Sequence, residues 1–313
     1  MAVDASLTWA LPWALLLAWG WDAVFGEPPN AVHPVAWLGQ ILGPVGRFLL
    51  QLQLQPLAAL VGGSLAWCLG AALCVAAAWQ WQTWALGAPL WLGVPALALA
   101  IKPTLSWRML RDEVAAVEAA LLDSPGDLQP ARARMARLCS RDVSQLDAAQ
   151  LRETALETLS ENLHDSVLAP LMWLLVAGLP GAVLYRYANT ADAMWGYRGR
   201  WEWAGKWAAR ADDVLSWLPA RCAGLALAPW RCWPQLPAQG RQTPSPNGGW
   251  PMGALALRLG VRLRKPGVYT LNAAARSPVA ADMVVALRCT AAVAWWAAAL
   301  TAVGMTALVA WHG

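Results

Sequence analysis

Residues 57–79 read LAALVGGSLAWCLGAALCVAAAW, a run of 23 residues without a single charged side chain. An α-helix rises about 1.5 Å per residue, so a run of this length crosses the roughly 30 Å hydrocarbon core of a bilayer. The whole chain is read from it, as an all-α, polytopic integral membrane protein. Next to it, residues 84–101 form another apolar run, joined to the first by the short segment Gln80–Thr83, so the two are expected to form a hairpin. Residues 7–25 and 284–311 are two further spans, the last interrupted only by Arg288 near its start, from where a long side chain snorkels to the interface. About four spanning helices result.

Composition points the same way. Of 313 residues, 58% are hydrophobic and 13% charged, against about 25% charged in soluble domains. Twenty-three Trp stand against two Phe, and amphipathic indoles favour the headgroup level of a bilayer. The net charge of +4 is scattered, with no basic run, so no nucleic-acid partner is expected. No two of the six cysteines have C-x-x-C spacing and the three histidines lie far apart, so neither a disulfide framework nor a zinc site is expected. The residues ahead of Leu7 carry no Lys or Arg, so the first run reads as a retained span, not a signal peptide.

Two weaker stretches lie between the spans. Residues 167–185 contain Pro170, Gly178, Pro180 and Gly181, and residues 214–230 contain Pro219, Arg221, Gly224 and Pro229. Both are expected as broken or re-entrant segments, which membranes tolerate where they line a protein-walled cavity. With only the four strong runs crossing, every Lys and Arg falls in or beside residues 26–56, residues 102–283 and the Arg288 flank. That one-sided distribution puts those regions in the cytoplasm and both termini outside. The expectation is one membrane-embedded domain over 1–313. Its cytoplasmic portion comprises residues 102–165 and 186–213 with a loop at 231–283. Amphipathic helices are expected over 104–165, where Leu110, Val114 and Val117 share a face.

The chemistry-bearing residues cluster in these polar regions. Glu153, Glu157, Glu161 and Asp165 are spaced by four, one stripe on a helix. Like charges at that spacing cost about 0.2–0.5 kcal/mol per pair, so the stripe implies a metal or a basic partner, unless it is a solvated face. Asn162 and the Asp165-Ser166 step, which runs straight into an apolar segment, favour a site at the interface. A second constellation runs from Asn189 through Asp192 and Tyr197 to Arg198, followed by Lys206, Arg210, Asp212 and Asp213. Hard carboxylate oxygens beside cations suit a magnesium-bound polyphosphate, and equally a juxtamembrane set of ion pairs. No G-x-x-x-x-G-K-[ST] phosphate loop occurs. Arg221, inside an apolar stretch, is a functional candidate by its depth, or a counter-ion of Asp212 or Asp213. Prolines stiffen the turn that aims Asp22, Glu27 and His33, and Ser245-Pro-Asn247-Gly-Gly reads as a set of tight turns.

Taken in order, these segments closely resemble one family. They are Asp22–Pro34 with its His-Pro-Val ending, Ser140-Arg-Asp-Val-Ser-Gln-Leu146, and Glu157–Leu171 with Glu-Asn and Ala-Pro-Leu. Then come Tyr185–Arg198, Ala209-Arg-Ala-Asp-Asp213 with Leu218-Pro-Ala-Arg221, and Ser245-Pro-Asn247. Order and approximate spacing across most of the chain resemble the adenosylcobinamide-phosphate synthase family of cobalamin biosynthesis, the CbiB/CobD membrane proteins.

The resemblance implies a carbon–nitrogen ligase that joins adenosylcobyric acid to (R)-1-amino-2-propanol or its O-phosphate. It implies ATP as co-substrate and Mg2+, with cobalt present only inside the corrinoid. On that reading Asp192, Asp212 and Asp213 hold the metal, and Arg198, Lys206 and Arg210 contact phosphates. Glu161 or Asp165 is the base, with His33 as a further catalytic candidate, and Asn162, Asn189, Tyr197, Asn247 and Arg221 bind substrate. Expected partners are the corrinoid and amine substrates, membrane lipid and other cobalamin-pathway enzymes. The expected location is a bacterial inner membrane, with the active site facing the cytoplasm. One departure stands out: Arg264-Lys265-Pro266 occupies the place where the family commonly has Gly-Gly-Pro, so that segment is left out of the expected site. Two other classes compete. A magnesium-dependent prenyl or phosphatidyl transferase would need a second full Asp-rich motif, which Asp212-Asp213 does not supply. A corrinoid or amine permease would concentrate polar groups at the midplane.

Overall fold

The structure, a computed structural model, describes residues 9–124 and 126–312. Leu7 and Thr8, the start of the expected first span, lie outside them. In chain order the helices are α1 (Ala10–Phe25), α2 (Pro34–Gln51), α3 (Pro56–Gly87), α4 (Leu90–Ile101), α5 (Trp107–Asp123) and α6 (Gln129–Met135). They continue with α7 (Ala148–Leu163), a π turn (His164–Leu168), α8 (Ala169–Trp195), α9 (Lys206–Leu215), α10 (Trp217–Leu227), α11 (Leu236–Gly240) and α12 (Gly249–Leu259). After the short antiparallel strands β1 (Leu263–Lys265) and β2 (Tyr269–Leu271), α13 (Ala280–His312) closes the described chain. The protein is thus all-α and polytopic. Helical segments Pro56–Gly87, Leu90–Asp123, Ala148–Trp195 and Ala280–Trp311 are long and apolar enough to cross a membrane, and Ala10–Phe25 is a shorter apolar helix.

The chain forms two compact units. The first comprises Met1–Ser106, Ala169–Ser216 and Ala297–Gly313. In it α1 packs on α4, and α8 packs on α2, α3 and α9. Leu57, Val61, Leu65, Leu69 and Leu73 recur every four residues along α3, all exposed, and form an uncovered apolar stripe suited to lipid. Elsewhere on α3, small residues let neighbours approach. A Cβ on Gly70 would lie 2.3 Å from the Tyr187 hydroxyl oxygen, and that hydroxyl donates to the Trp67 carbonyl at 3.0 Å.

Several boundaries differ from the sequence reading. Gln80–Thr83, expected as the hairpin turn, lies inside α3, because nothing in Gln-Trp-Gln-Thr breaks a helix. The chain turns at Ala88–Pro89, where the residue before proline is driven into extended geometry (φ −85, ψ 158). Residues 34–51, expected within a polar connection, form α2, started by Pro34 at its first turn.

Helix α8 breaks at Ala177 and Gly178, the latter at φ 63 and ψ −157. The bend is sharp: a Cβ on Gly181 would stand 2.4 Å from the Trp173 carbonyl oxygen, residues that a straight helix separates by about 12 Å. The freed amide of Leu179 donates to Gln82 Oε1 at 2.7 Å, so a polar side chain from α3 satisfies the broken backbone within an apolar stretch.

The second unit comprises Trp107–Leu168 and Trp217–Trp296. Here α5 packs on α6 and α7, and α12 on α7, α10 and α11. Leu110, Val114 and Val117 are all buried. A buried bidentate pair, Arg152 to Glu118 at 2.8 and 2.7 Å, ties α7 to α5. Residues 231–283, expected as a loop, hold α11, α12 and the hairpin. Two of their glycines fall at element ends: Gly260 (φ 63) stops α12, and Pro266-Gly267 (φ 73) turns the hairpin. α10, within the 214–230 stretch, has 11 residues, about 16 Å long and too short to span.

Candidate functional site

The carboxylate stripe lies on α7 and the π turn, all in the second unit. A capping box opens α7: Asp147 Oδ1 accepts from Gln150 N at 2.8 Å, and Gln150 Oε1 accepts from Asp147 N at 2.9 Å. The helical run Ala148–Trp195 holds 48 residues, over twice the roughly 20 that a bilayer core requires. Its uncharged stretch begins only at Val167, so Glu153 to Asp165 precede the membrane segment. Far from being a solvated face, the stripe is covered, with Glu153 and Glu157 buried and Glu161 partly so.

Cations come from two directions. Arg141, in the segment before α7, donates to Glu157 Oε2 at 2.6 Å and to Thr154 Oγ1 at 2.8 Å. From the hairpin, Arg262 and Arg264 each approach Glu153 at 3.8 Å, ion pairs longer than hydrogen bonds. Burial pushes the Glu153 carboxyl up against the pull of Arg264 and Arg262, and burial likewise raises Glu157 against Arg141. Glu161 has the weakest compensation. Burial first, then the charges of Asp165 and Glu157, push its carboxyl up to about 7, with Lys265 and Arg141 opposing. Tyr269 pairs with Lys265 across the hairpin, and its phenol is pushed up by burial and by Glu157 and Glu161.

Gly248 brings the start of α12 to the same carboxylate, since a Cβ there would stand 3.1 Å from Glu161 Oε1. Arg221 holds that loop. It donates to Asn247 Oδ1 at 2.6 Å, the Pro246 carbonyl at 3.0 Å and the Trp217 carbonyl at 2.8 Å. Its guanidinium lies between the Trp217 and Trp250 rings, 4.5 and 4.9 Å from their centroids. Asn162 donates to the Thr158 carbonyl of its own helix at 3.0 Å, and His164 Nδ1 lies 2.6 Å from Asp165 Oδ1.

The first unit has two acid–base groupings of its own. In one, buried Lys102 meets Asp22 Oδ1 at 3.0 Å and Glu27 Oε1 at 2.8 Å. His33 Nε2 meets Glu27 Oε2 at 2.8 Å while its Nδ1 accepts from Val35 N at 3.1 Å, so both ring nitrogens are engaged in starting α2. In the other, Asn189 Nδ2 donates to Asp212 Oδ1 at 3.5 Å and Arg210 pairs with Asp213 at 3.3 Å. Burial raises the Asp213 carboxyl against Arg210. Asp192 lies over Gly196 in the last turn of α8. Lys206 sits 4.2 Å from the Trp203 ring centroid, and Tyr197 and Arg198 are exposed. Among the described residues no three His, Cys, Asp or Glu side chains converge as a ready metal nest. Asp212 and Asp213 offer hard carboxylate oxygens, of which a magnesium ion takes one or two while keeping several waters.

The sequence reading missed Lys102, Arg262, Tyr269 and the Arg264-Lys265 pair it set aside. Lys102 closes an apolar run, where a lone cation reads as snorkelling. The hairpin residues are about 100 positions from the stripe in sequence, and no spacing rule links the two.

Fold and geometry define a class: an all-α polytopic membrane protein carrying a covered row of carboxylates ringed by cations. The family model described as CobD/Cbib protein matches residues 15–295, and the chain belongs to that family. It is 37% identical over 264 residues to the "Probable cobalamin biosynthesis protein CobD" of Thermococcus kodakarensis, covering 81% of this chain and 83% of the relative. It is 34% identical over 273 residues to the "Cobalamin biosynthesis protein CobD" of Klebsiella pneumoniae (84% and 83% covered). To that of Chromobacterium violaceum it is 38% identical over 266 residues (81% and 80%). No solved structure matches the chain. Family membership gives the chain a role in cobalamin biosynthesis.

Proposed function

We propose that this protein is an ATP-dependent ligase that joins the free carboxylate of adenosylcobyric acid to (R)-1-amino-2-propanol or its O-phosphate. A carboxylate does not acylate an amine at neutral pH. Attack of the substrate carboxylate on the ATP γ-phosphate would release ADP and leave an acyl phosphate. The amine nitrogen then attacks the acyl carbon, the amide bond forms and phosphate departs. An amine arrives as an ammonium ion, so one proton must be removed first. The arrangement that carries this reading is the covered carboxylate row on α7, where the backbone of Gly248 approaches Glu161 Oε1 and burial with Asp165 and Glu157 pushes the Glu161 carboxyl up to about 7, the range in which a general base works best.

One or two of Asp192, Asp212 and Asp213 are proposed to hold Mg2+, and Arg198, Lys206 and Arg210 to contact phosphates. When bound, the ion would neutralise charge on the transferred phosphate. Asn189 and Tyr197 in the first unit and, separately, Asn162 and Asn247 in the second remain proposed substrate contacts, since the amide side chains of the corrin call for donors and acceptors. The polar regions are assigned to the cytoplasmic side of a bacterial inner membrane, following the distribution of Lys and Arg. The test is to incubate detergent-purified protein with adenosylcobyric acid, Mg-ATP and each amine in turn, reading products by mass. An ATP-dependent amide, lost in Asp213→Ala, is expected. No product with either amine, in lipid as well as detergent, would sink the proposal.

A further inference from the structure

Apart from Arg221, the proposed chemistry makes no use of α10. Its 11 residues are too few to span a bilayer. Pro219, Ala220, Ala223, Gly224 and Leu227 form its buried side. That side packs on α12, so closely that a Cβ on Gly224 would stand 3.3 Å from the Trp250 carbonyl oxygen. Leu218, Cys222 and Leu225, at i, i+4 and i+7, form the opposite side, and all three are exposed. The helix is thus apolar on both sides, with only one covered by described residues. Past the helix, the 3-10 turn Trp230–Gln235 has no buried residue. In it Trp230 is 79% and Trp233 46% exposed. Trp233 is not loose: its Nε1 donates to the Leu225 and Ala228 carbonyls at 3.1 and 3.3 Å, which ties the ring to the end of α10. Charge is one-sided as well. Between Asp213 and Asp282 the chain has eight Lys and Arg and no acid. Arg262, Arg264 and Arg276 of that stretch meet acids from outside it, while Arg231 is exposed between the two indoles in sequence.

We propose that α10 and the Trp230–Gln235 turn lie in the plane of one membrane leaflet, as an anchor of the second unit that binds an anionic phospholipid headgroup at Arg231. A short helix with an apolar outer side is costly in water, and a leaflet covers that side without the helix having to cross. Leu218, Cys222 and Leu225 then meet the acyl boundary, and the Trp230 and Trp233 indoles sit at headgroup level, which suits an apolar ring with a polar N–H. A guanidinium there has the planar, two-pronged donor pattern that matches a phosphate. The exposed leucine stripe of α3 differs in this respect, since residues 57–79 carry no charge to meet a headgroup. A protein partner would also cover Leu218 and Leu225. The acid-free cationic stretch and the exposed indoles around Arg231, in a chain that already crosses a bilayer, favour lipid phosphate instead.

The test uses the full chain with the other five cysteines changed to alanine and a bimane label on Cys222, in bilayers of phosphatidylcholine with phosphatidylglycerol. Nitroxide lipids should quench the label, more strongly from a nitroxide near the headgroup than from one at the chain end, and aqueous iodide should not. Quenching by iodide alone would put the outer side in water. Shielding from both quenchers would put protein over it, and stronger quenching from the chain end would mean a helix that plunges into the bilayer. Each of these overturns the inference. Native mass spectrometry of the unlabelled wild-type chain reads the headgroup separately, and so serves even where the cysteine-depleted chain fails to fold. Arg231→Gln should lower the retained phosphatidylglycerol about fivefold, the scale of one basic residue at an anionic surface. Arg111→Gln, exposed on α5 of the same unit, should leave it unchanged. Equal losses in the two variants, or no loss in Arg231→Gln, would overturn the assignment of the headgroup to Arg231.

Discussion

Two charge centres, one in each unit, both set carboxylates against cations and reach opposite ends. In the first unit, Lys102 meets two carboxylates within 3.0 Å, and His33 uses both ring nitrogens. Burial alone would raise Glu27, but His33 and Lys102 outweigh it and hold the carboxyl below its ordinary value. In the second unit, the guanidinium groups that approach Glu153 stand 3.8 Å away, and Glu161 is raised to about 7. A satisfied network fixes structure, whereas one whose charges are incompletely compensated holds a proton ready to move near neutral pH.

The comparison breaks first at Lys102. Lys102→Met leaves Asp22 and Glu27 buried without their cation and should cost about 3–5 kcal/mol, read as a large fall in the thermal midpoint in detergent. A small fall would mean that the first centre is not structural. Next comes Glu161→Gln. It should lower kcat/KM for amide formation by about 10²–10⁴-fold while leaving the thermal midpoint equal or higher, since it replaces a poorly compensated carboxylate by a neutral amide. Loss of fold together with activity would erase the contrast between the centres.

Smaller in size but sharper in sign is the dependence of stability on pH. Glu161 has a folded value above the ordinary 4.5, so its contribution to stability is full below about 4.5 and is lost as pH rises through about 7. Glu27 has a lowered folded value. Its contribution is present above the ordinary carboxylate range and is lost as pH falls through the folded value. Thermal midpoints across pH 3–8 should therefore show an acid-side loss that Glu27→Gln reduces and a separate neutral-side loss that Glu161→Gln reduces. The smallest effect concerns the break in α8. Gln82→Ala orphans the Leu179 amide and should destabilise the protein by about 1–3 kcal/mol, without moving the pH midpoint of activity.

The membrane class was legible from residues 57–79 alone, because length and absence of charge suffice for a span. The spacing of Glu153, Glu157 and Glu161 likewise put them on one helix face before any coordinates. Spacing could not tell whether that face met water or protein, since the partners Arg262, Arg264 and Lys265 arrive by a hairpin distant in sequence. The gap in hydropathy at Gln80–Thr83 is not where the α3–α4 hairpin turns, because the pre-proline position at Ala88 decides. Arg221 was legible as unusual by its depth. Its engagement with Asn247, Trp217 and Trp250 was not, because cation–aromatic stacking has no fixed sequence interval.

The central claim is that Glu161 exchanges its proton near neutral pH. Infrared difference titration between pH 4 and 9, comparing the intact protein with Glu161→Gln, reads it directly. A carboxyl band that vanishes with a midpoint near 7 and is absent from the variant is the predicted result. A Glu161 band that has already vanished by about pH 5 would contradict the account.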